Sequence, residues 1–267
     1  HEQGATHAAD GYARSTGKVG VAFATSGPGA TNTVTGIATA FMDSVPMVVI
    51  TGQVPLALIG RDSFQEVDIY GITLPITKHN FFVKDIGELA DDIRAAFRIA
   101  KSGRPGPVLV DVPKDIMGQL CEYEALPPAE KDAIEKKYSD EDLEHLSDLI
   151  NRAQRPLIYA GGGVITAEAS SQLTELAEKA DIPVVSTLMN LGAISRKHPL
   201  SLGMVGMHGQ KEANQAVYHS DLLITVGARF SDRVTGDVSH FAPHAVIAQI
   251  DIDESEIDKN VVVDLSL

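Results

Sequence analysis

The chain has 267 residues, of which 44% are hydrophobic and 22% are charged. This composition excludes wholesale disorder, and the length suits one large domain or two ordinary ones. The net charge of −14 argues against a nucleic-acid partner, because phosphate binding requires clustered Lys and Arg. Neither a membrane span nor a secretory signal is expected. The single cysteine, Cys121, cannot form an internal disulfide, which agrees with a reducing compartment, so we predict a cytoplasmic protein.

The first predicted element is a helix over HEQGATHAADGYARSTGK, at residues 1–18. Its apolar residues recur at the spacing of a packed helical face: Ala5, Ala8, Ala9, Tyr12 and Ala13. Glu2 falls on the same stripe, where a carboxylate needs a partner or a shifted pKa. A glutamate in a first helical turn is also favoured by the helix dipole. The pattern leaves both interpretations of Glu2 open.

Strand and helix patterns then alternate. A short β-rich run at 19–25 predicts a strand, and buried strands are predicted at 46–52 and 106–113. One intervening helix carries Val34, Ile37, Ala38 and Phe41, and another carries Leu89, Ile93, Ala96, Phe97 and Ala100 and ends near Gly103. Such Val, Ile and Leu runs between helices indicate a parallel sheet covered on both faces.

A Pro pair and a mixed-charge run break this rhythm at 124–138, which we interpret as an interdomain linker. Ser139 and Asp142 then resemble a capping box that begins a helix. Four more strand patterns follow, in PLIYA, PVVST, LLITVGAR and AVIAQIDID, with helices at about 166–180 and 210–219. The predicted fold class is α/β, with two parallel-sheet units, the second of Rossmann-like type.

Glycine-rich turns suggest where ligands bind. YAGGGVIT (159–166) places three glycines between a strand and a helix, as in phosphate-binding turns. Thr166, however, occupies the third glycine position of G-x-G-x-x-G. Taken alone, the motif is therefore better interpreted as a tight structural turn. Other strand ends with ligand-like residues lie at 186–190, 226–233 and 249–253, joined by a Met-rich loop at 204–210. Their convergence predicts a nucleotide cofactor. TSGPGATN (25–32) is a similar turn or a simple helix cap.

These motifs together resemble the catalytic subunits of acetolactate synthase (acetohydroxyacid synthase), a thiamine-diphosphate-dependent family. The motifs are, in order, HEQGATHAADGYARSTGKVGVAFATSGPGATN, TGQVP, DSFQEVDIYGI, KSGRPGPVLVDVPKD, AGGG, GMHG, GARFSDRVTG and QIDID. The resemblance implies an N-terminally incomplete pyrimidine-binding domain at 1–123, a linker at 124–138 and a central FAD-binding-type domain at 139–267. It also implies a fragment without the diphosphate-binding domain. Because the Mg²⁺ ligands belong to that domain, no metal site is expected in this chain.

The implied activity is decarboxylation of pyruvate and condensation of the hydroxyethyl carbanion with a second 2-ketoacid, pyruvate or 2-ketobutyrate. The product is 2-acetolactate or 2-aceto-2-hydroxybutyrate, the first common step of branched-chain amino-acid biosynthesis. By resemblance, Glu2 is the catalytic glutamate that hydrogen-bonds a ring nitrogen of the cofactor's aminopyrimidine, and Pro28 and Asn32 lie beside that ring. The isolated fragment is predicted to be inactive.

The resemblance assigns two further sets of residues. Predicted FAD contacts are Arg104, Gly161, Gly162, Gly163, Thr187, Leu188, Met207, His208, Gly209, Gly227, Arg229, Arg233, Asp251 and Ile252. Predicted substrate-channel residues are Pro55, Phe64, Gln65, Lys114 and Asp232. Phe64 could instead be a core residue and Lys114 a surface lysine. Ser231 departs from the aspartate that many relatives carry there.

Family likeness also implies a homodimer or tetramer and a possible small regulatory subunit, with no membrane partner. Two rival functions remain. A pyruvate oxidase-like enzyme would use thiamine diphosphate together with a redox-active flavin, and a non-catalytic binding module would perform no chemistry. An assay for both products separates the first rival from the favoured function, since the synthase forms acetolactate and the oxidase forms peroxide.

Overall fold

The structure, a computed structural model, describes residues 1–126 and 138–267. The chain divides into two compact units, His1–Ile134 and Glu135–Leu267. Most of the predicted linker, residues 127–137, lies outside the described residues. The domain limits at 123 and 139 therefore stay predictions.

The first unit is a four-stranded, all-parallel sheet with helices on both faces. Its strands are β1 (Gly20–Ala24), β2 (Met47–Gln53), β3 (His79–Phe82) and β4 (Pro107–Pro113), in the order β1-β2-β4-β3. Its helices are α1 (Glu2–Thr16), α2 (Pro28–Thr31), α3 (Val34–Met42), α4 (Ile69–Thr73), α5 (Ile86–Lys101) and α6 (Lys114–Met117). Met47, Val49 and Leu109 pack with residues of α1 and α3, whereas Val48 and Val108 pack with α5. The predicted two-sided parallel sheet is confirmed.

The buried face of α1 differs from the predicted stripe. Thr6, Ala9, Asp10 and Ala13 are buried, whereas Ala5, Ala8 and Tyr12 are exposed. Two polar side chains are buried because each has a partner: the Thr6 hydroxyl donates to the carbonyls of Glu2 and Gln3, and Asp10 pairs with Arg14 at 2.9 Å. Thr6 packs against Gly36 of α3, where a Cβ would lie only 2.1 Å from the Thr6 hydroxyl oxygen. The small residues of this face let α1 and α3 approach closely.

The second unit is a six-stranded, all-parallel sheet in the order β10-β9-β8-β5-β6-β7. Its strands are β5 (Pro156–Ala160), β6 (Val184–Ser186), β7 (Ser201–Met204), β8 (Leu222–Val226), β9 (Val246–Ile250) and β10 (Leu265–Ser266). Its helices are α7 (Asp140–Arg152), α8 (Gly162–Thr166), α9 (Ser170–Ala180), α10 (Lys211–His219) and α11 (Asp232–Thr235). The chain builds one half outward from β5 and the other outward from β8, so the topological switch point lies between these strands.

Two local predictions in this unit have different outcomes. The capping box is confirmed, since Ser139 accepts from the Asp142 amide and the Asp142 side chain accepts from the Ser139 amide. The helix predicted from about 166 to 180 is confirmed as α9, but it begins at Ser170, because Glu168, between α8 and α9, has a left-handed φ of 56°. Across the two described stretches, no helix combines the length and apolarity needed to cross a bilayer.

Candidate functional site

Glu2 lies in the first turn of α1, and its carboxylate has a defined partner. Asn32, directly after α2, donates its side-chain amide to Glu2 Oε2 at 3.0 Å. This hydrogen bond is the main cause that lowers the pKa of Glu2 below its usual value. Glu2 is partly exposed, so its charge stays accessible. Both interpretations of Glu2 therefore hold in part, because the residue is in the first turn and also has a specific partner.

The turn at 25–32 lies beside Glu2. A Cβ added to Gly29 would meet Thr25 Cγ2 at 2.7 Å and would lie 3.5 Å from Glu2 Oε1, so the glycine lets the turn pack closely against Thr25 next to the carboxylate. Gly27 has a left-handed φ of 64°, and a Cβ there would meet the Gln65 backbone at 2.8 Å. Pro28 begins α2, so the turn is also a helix start. Glu2, the glycine turn, Asn32 and Gln65 are thus brought together.

The segment from Val54 to Val67 carries most of the predicted channel residues. Phe64 is 90% exposed and is therefore not a core residue. Gln65 adopts a left-handed φ of 62°. Glu66 closes the loop tip by accepting from the Gly60 amide and, at 2.9 Å, from the Ser63 amide, and these bonds lower its pKa.

Pro55 and Lys114 lie near each other at the ends of β2 and β4. The amide of Leu56, next to Pro55, donates to both Asp115 carboxylate oxygens at 3.2 Å, and Asp115 follows Lys114. Lys114 is exposed, so a surface position and a channel position are both compatible with its placement. Asp232 belongs to the second unit, and its channel role stays a prediction.

A buried polar network that the sequence analysis missed lies beneath this segment. Asp111 on β4 is 1% exposed and accepts from the Thr51 hydroxyl at 2.7 Å and from the Gln53 side-chain amide at 3.1 Å. Burial raises the pKa of Asp111 to about 6, although the two hydrogen bonds oppose the shift. The available signal was an aspartate inside the apolar run PVLVDVP.

We predict that Asp111→Asn removes a pH dependence of stability between about pH 4 and pH 6. The native pKa is raised, so the native state binds more protons than the unfolded state in this window. The resulting stability is present below about pH 4 and is lost as the pH rises through 6, by on the order of 2–3 kcal/mol. Urea unfolding at several pH values would measure it, with Asp91→Asn on the surface of α5 as control. Parallel curves for wild type and Asp111→Asn would contradict the prediction.

In the second unit, the glycine turns after β5 and β8 are in direct backbone contact at the switch point. The Gly161 amide donates to the Val226 carbonyl at 2.8 Å, and the Gly163 amide donates to the Gly227 carbonyl at 3.1 Å. A Cβ on Gly161 would lie 2.1 Å from the Gly227 carbonyl oxygen. Close backbone approach therefore explains these glycines without a ligand, and it leaves the edge of the turn free of side chains.

The ends of β6 and β9 join the same region. The Thr187 amide donates to the Ala160 carbonyl at 2.9 Å, and the Gly227 amide donates to the Ile250 carbonyl at 2.9 Å, next to Asp251 and Ile252. The Thr187 hydroxyl is buried without a hydrogen-bond partner among the described residues. Leu188 is 66% exposed at this edge. A polar ligand could satisfy the Thr187 hydroxyl.

The loop at 204–210 contacts the segment that begins α11. The Met207 amide donates to the Arg233 carbonyl at 2.8 Å, and a Cβ on Gly206 would meet that carbonyl oxygen at 2.7 Å. Met207 and His208 are exposed, and Gly209 donates back to Gly206. Ser231 caps α11 by accepting from the Arg233 amide. Serine is among the preferred N-cap residues, which explains its place at the start of α11.

The remaining predicted residues are placed as follows. Arg229 is partly buried next to Phe230, whose φ is 34°. Arg104 belongs to the first unit and donates to the Ser44 hydroxyl at 2.8 Å. In the part of the chain that the structure describes, no group of three or more His, Cys, Asp or Glu side chains could hold a metal ion.

Two family models match the chain. The model described as "Thiamine pyrophosphate enzyme, N-terminal TPP binding domain" matches residues 1–72, which include Glu2, the glycine turn and Asn32. The model described as "Thiamine pyrophosphate enzyme, central domain" matches residues 143–267, which include the strand ends of the second sheet.

Curated relatives match the entire chain. It is 53% identical to the "Probable acetolactate synthase large subunit" of Methanocaldococcus jannaschii and 55% identical to the "Acetolactate synthase large subunit" of Parasynechococcus marenigrum, with 100% of the chain covered in each case. It is 52% identical, over 97% of its length, to the "Acetolactate synthase isozyme 1 large subunit" of Escherichia coli K12. The matches span 46%, 44% and 46% of those relatives, so the chain spans less than half of their length. The chain belongs to the thiamine pyrophosphate enzymes and contains sequence from their N-terminal and central domains.

Proposed function

We propose that the chain is part of an acetolactate synthase large subunit and that Glu2 is its catalytic carboxylate. The observation that carries this proposal is the arrangement around Glu2: a first-turn carboxylate, held by Asn32, beside the closely packed glycine turn at 25–32. The partly exposed, oriented carboxylate fits a ring nitrogen of an aminopyrimidine. Thiamine diphosphate, when bound, would supply the electron sink for decarboxylating a 2-ketoacid.

The chain's own residues would then hold the ring and move a proton. The Glu2 carboxyl group would share a proton with a ring nitrogen, while Asn32 fixes the orientation of Glu2. Pro28 would contact the ring beside them. Pro55, Phe64, Gln65, Lys114 and Asp232 are proposed to line the route by which pyruvate and 2-ketobutyrate reach the reaction.

We further propose that FAD binds at the strand ends of the second unit. Support comes from the Thr187 hydroxyl, which is buried without a hydrogen-bond partner among the described residues and lies where the turn after β5 meets the end of β6. The glycines at Gly161–Gly163 and Gly227 are proposed to lie against the ligand. Leu188, Met207, His208, Gly209, Arg229, Arg233, Asp251 and Ile252 would contribute the further contacts, together with Arg104. A flavin would supply redox chemistry only in a pyruvate oxidase-like enzyme, for which nothing here argues.

The proposal extends to the assembly. Mg²⁺ would be held by residues outside this chain. We also propose that the full enzyme is a homodimer or tetramer, that it binds a small regulatory subunit and that it is cytoplasmic. The test is an assay of the full-length gene product with pyruvate, thiamine diphosphate, Mg²⁺ and FAD. Acetolactate formation is expected, whereas peroxide formation under oxygen would favour the oxidase, and neither product would favour a binding module.

The isolated chain should bind thiamine diphosphate too weakly to detect at micromolar concentration, and it should form no acetolactate. Glu2, Pro28 and Asn32 offer only a few hydrogen bonds or contacts, each worth about 0.5–1.5 kcal/mol. Micromolar binding requires about 8 kcal/mol. FAD, with more contacts in the chain, should bind weakly or not at all. Isothermal titration calorimetry with each cofactor measures both affinities. Tight binding of thiamine diphosphate would contradict the proposal that part of its site lies outside this chain.

A further inference from the structure

The segment 54–67 is fastened at both ends by one side chain. Gln53 Oε1 accepts from the Val54 amide at 2.9 Å, and Gln53 Nε2 donates to the Val67 carbonyl at 2.8 Å. Gln53 is 7% exposed. These partners fix the orientation of the amide group, because one requires an acceptor and the other a donor. The side chain of Gln53 therefore closes the base of the segment that carries Phe64 and Gln65.

Asp111 holds that side chain in place. It accepts the second hydrogen of Gln53 Nε2 at 3.1 Å, while Thr51 donates to its other oxygen at 2.7 Å. Thr51 and Asp111 are register partners on neighbouring strands, so the carboxylate is held by the sheet itself. Hydrogen bonds to an ionised acceptor are about twice as strong as neutral ones. Burying a carboxylate costs free energy unless it is hydrogen-bonded, so the contacts of Asp111 offset part of the cost of its burial.

We propose that Asp111 is a positioning residue, which acts through Gln53 to hold the segment 54–67 closed and so places Phe64 and Gln65 beside the glycine turn near Glu2. The link to catalysis rests on the function proposed above, whereas the link between Asp111 and the segment stands on the hydrogen bonds alone. Gln65 meets the Gly27 backbone closely, so a shift of the segment base would move Gln65 relative to that turn.

The surroundings of Asp111 make the contact dependent on pH. Asp68, at the start of α4, is the charged group that acts on Asp111, and its negative charge favours the protonated form. The neighbouring strands present Thr51, Gln53 and Phe82, all neutral, and α3 carries no ionisable side chain. On α1, Asp10 is paired with Arg14, and after β4 Asp115 accepts from Leu56. Protonation would leave Gln53 with a weaker, neutral acceptor.

Hydrogen exchange of this chain, measured at pH 7.5, 6.5 and 5.5 and corrected for intrinsic rates, tests the proposal. Asp111→Ala should accelerate exchange of the 54–67 amides at least about tenfold. Asp10→Ala, which removes another buried carboxylate of the same unit, should leave those amides within about twofold of wild type. Asp111→Asn, which can still accept from Gln53, should restore most of the protection. If Asp111→Ala fails to fold, Gln53→Met removes the same contact at similar volume.

Unchanged exchange in Asp111→Ala or Gln53→Met, or an equal acceleration in Asp10→Ala, would overturn the proposal. In the full-length enzyme, Asp111→Ala should raise KM for pyruvate about tenfold with a smaller change in kcat, and Asp111→Asn should reverse most of this. Absence of acetolactate from the wild-type enzyme would reject the proposed function, while the exchange data would still decide the role of Asp111.

Discussion

Glu2→Gln should lower acetolactate formation by the full-length enzyme at least about 100-fold while leaving the fold and the flavin content intact. Glutamine keeps the length of the side chain and an oxygen that can accept from Asn32. It cannot share a proton with a ring nitrogen, and loss of one general acid–base contact costs about 10²- to 10⁴-fold. Initial rates at saturating cofactor, with unfolding curves for both proteins, measure the effect.

Glu141→Gln is a matched control for Glu2→Gln. Glu141 is also an acidic residue in the first turn of a helix, α7, and it is exposed. If Glu2 acts only through the helix dipole, both substitutions should have the same small effect on stability and neither should affect turnover. Wild-type turnover in Glu2→Gln would reject the catalytic assignment.

Gly161→Ala should destabilise the second unit by about 3 kcal/mol, the upper end of overpacking costs. The backbone of Gly161 has φ −109° and ψ −179°, which alanine adopts without strain, so the effect comes from contact alone. Its Cβ would lie 2.1 Å from the Gly227 carbonyl oxygen and 2.5 Å from Ala228 Cα, and both are backbone atoms at the end of β8. Relief would require β5 and β8 to separate at the switch point.

Gly162→Ala is the control for this prediction. Its Cβ would lie 3.1 Å from the Met189 Cβ, so the residues around Met189 must move by only a few tenths of an ångström. We expect a loss of less than about 1 kcal/mol. Urea unfolding, with hydrogen exchange of the β5 and β8 amides to isolate this unit, measures both variants. If Gly161→Ala and Gly162→Ala lowered the free energy of unfolding equally, the contact between the two turns would not be the reason for glycine at position 161.

The central strands and the edge strand β1 were predictable from sequence, and the other three edge strands were not. β2, β4, β5 and β8 are buried on both faces, so their Val, Ile and Leu runs are distinctive. The strands β3, β7 and β10 lie at sheet edges, where HNFF, SLGM and LS need not be apolar. Their pairing depends on neighbours distant in the chain, which periodicity cannot reveal.

The parts of the site were predictable to different degrees. The glycine turns and strand ends are local patterns, and the structure gathers them within each sheet as parallel topology requires. The prediction of the packed face of α1 was wrong because Thr6 and Asp10 are buried with hydrogen-bond partners, which a hydrophobicity pattern does not detect. Asp111 and Gln53 were missed for the same reason, since their partners lie on different strands and loops.

Phe64 has a consequence for recognition. With 90% of its surface in water, the ring contributes almost nothing to folding. Burying a phenylalanine is worth about 1.5–3 kcal/mol, so a molecule that covers the ring gains roughly a 10- to 150-fold affinity from this residue alone. A molecule with an apolar face would therefore gain more from contact with Phe64 than a small polar molecule would.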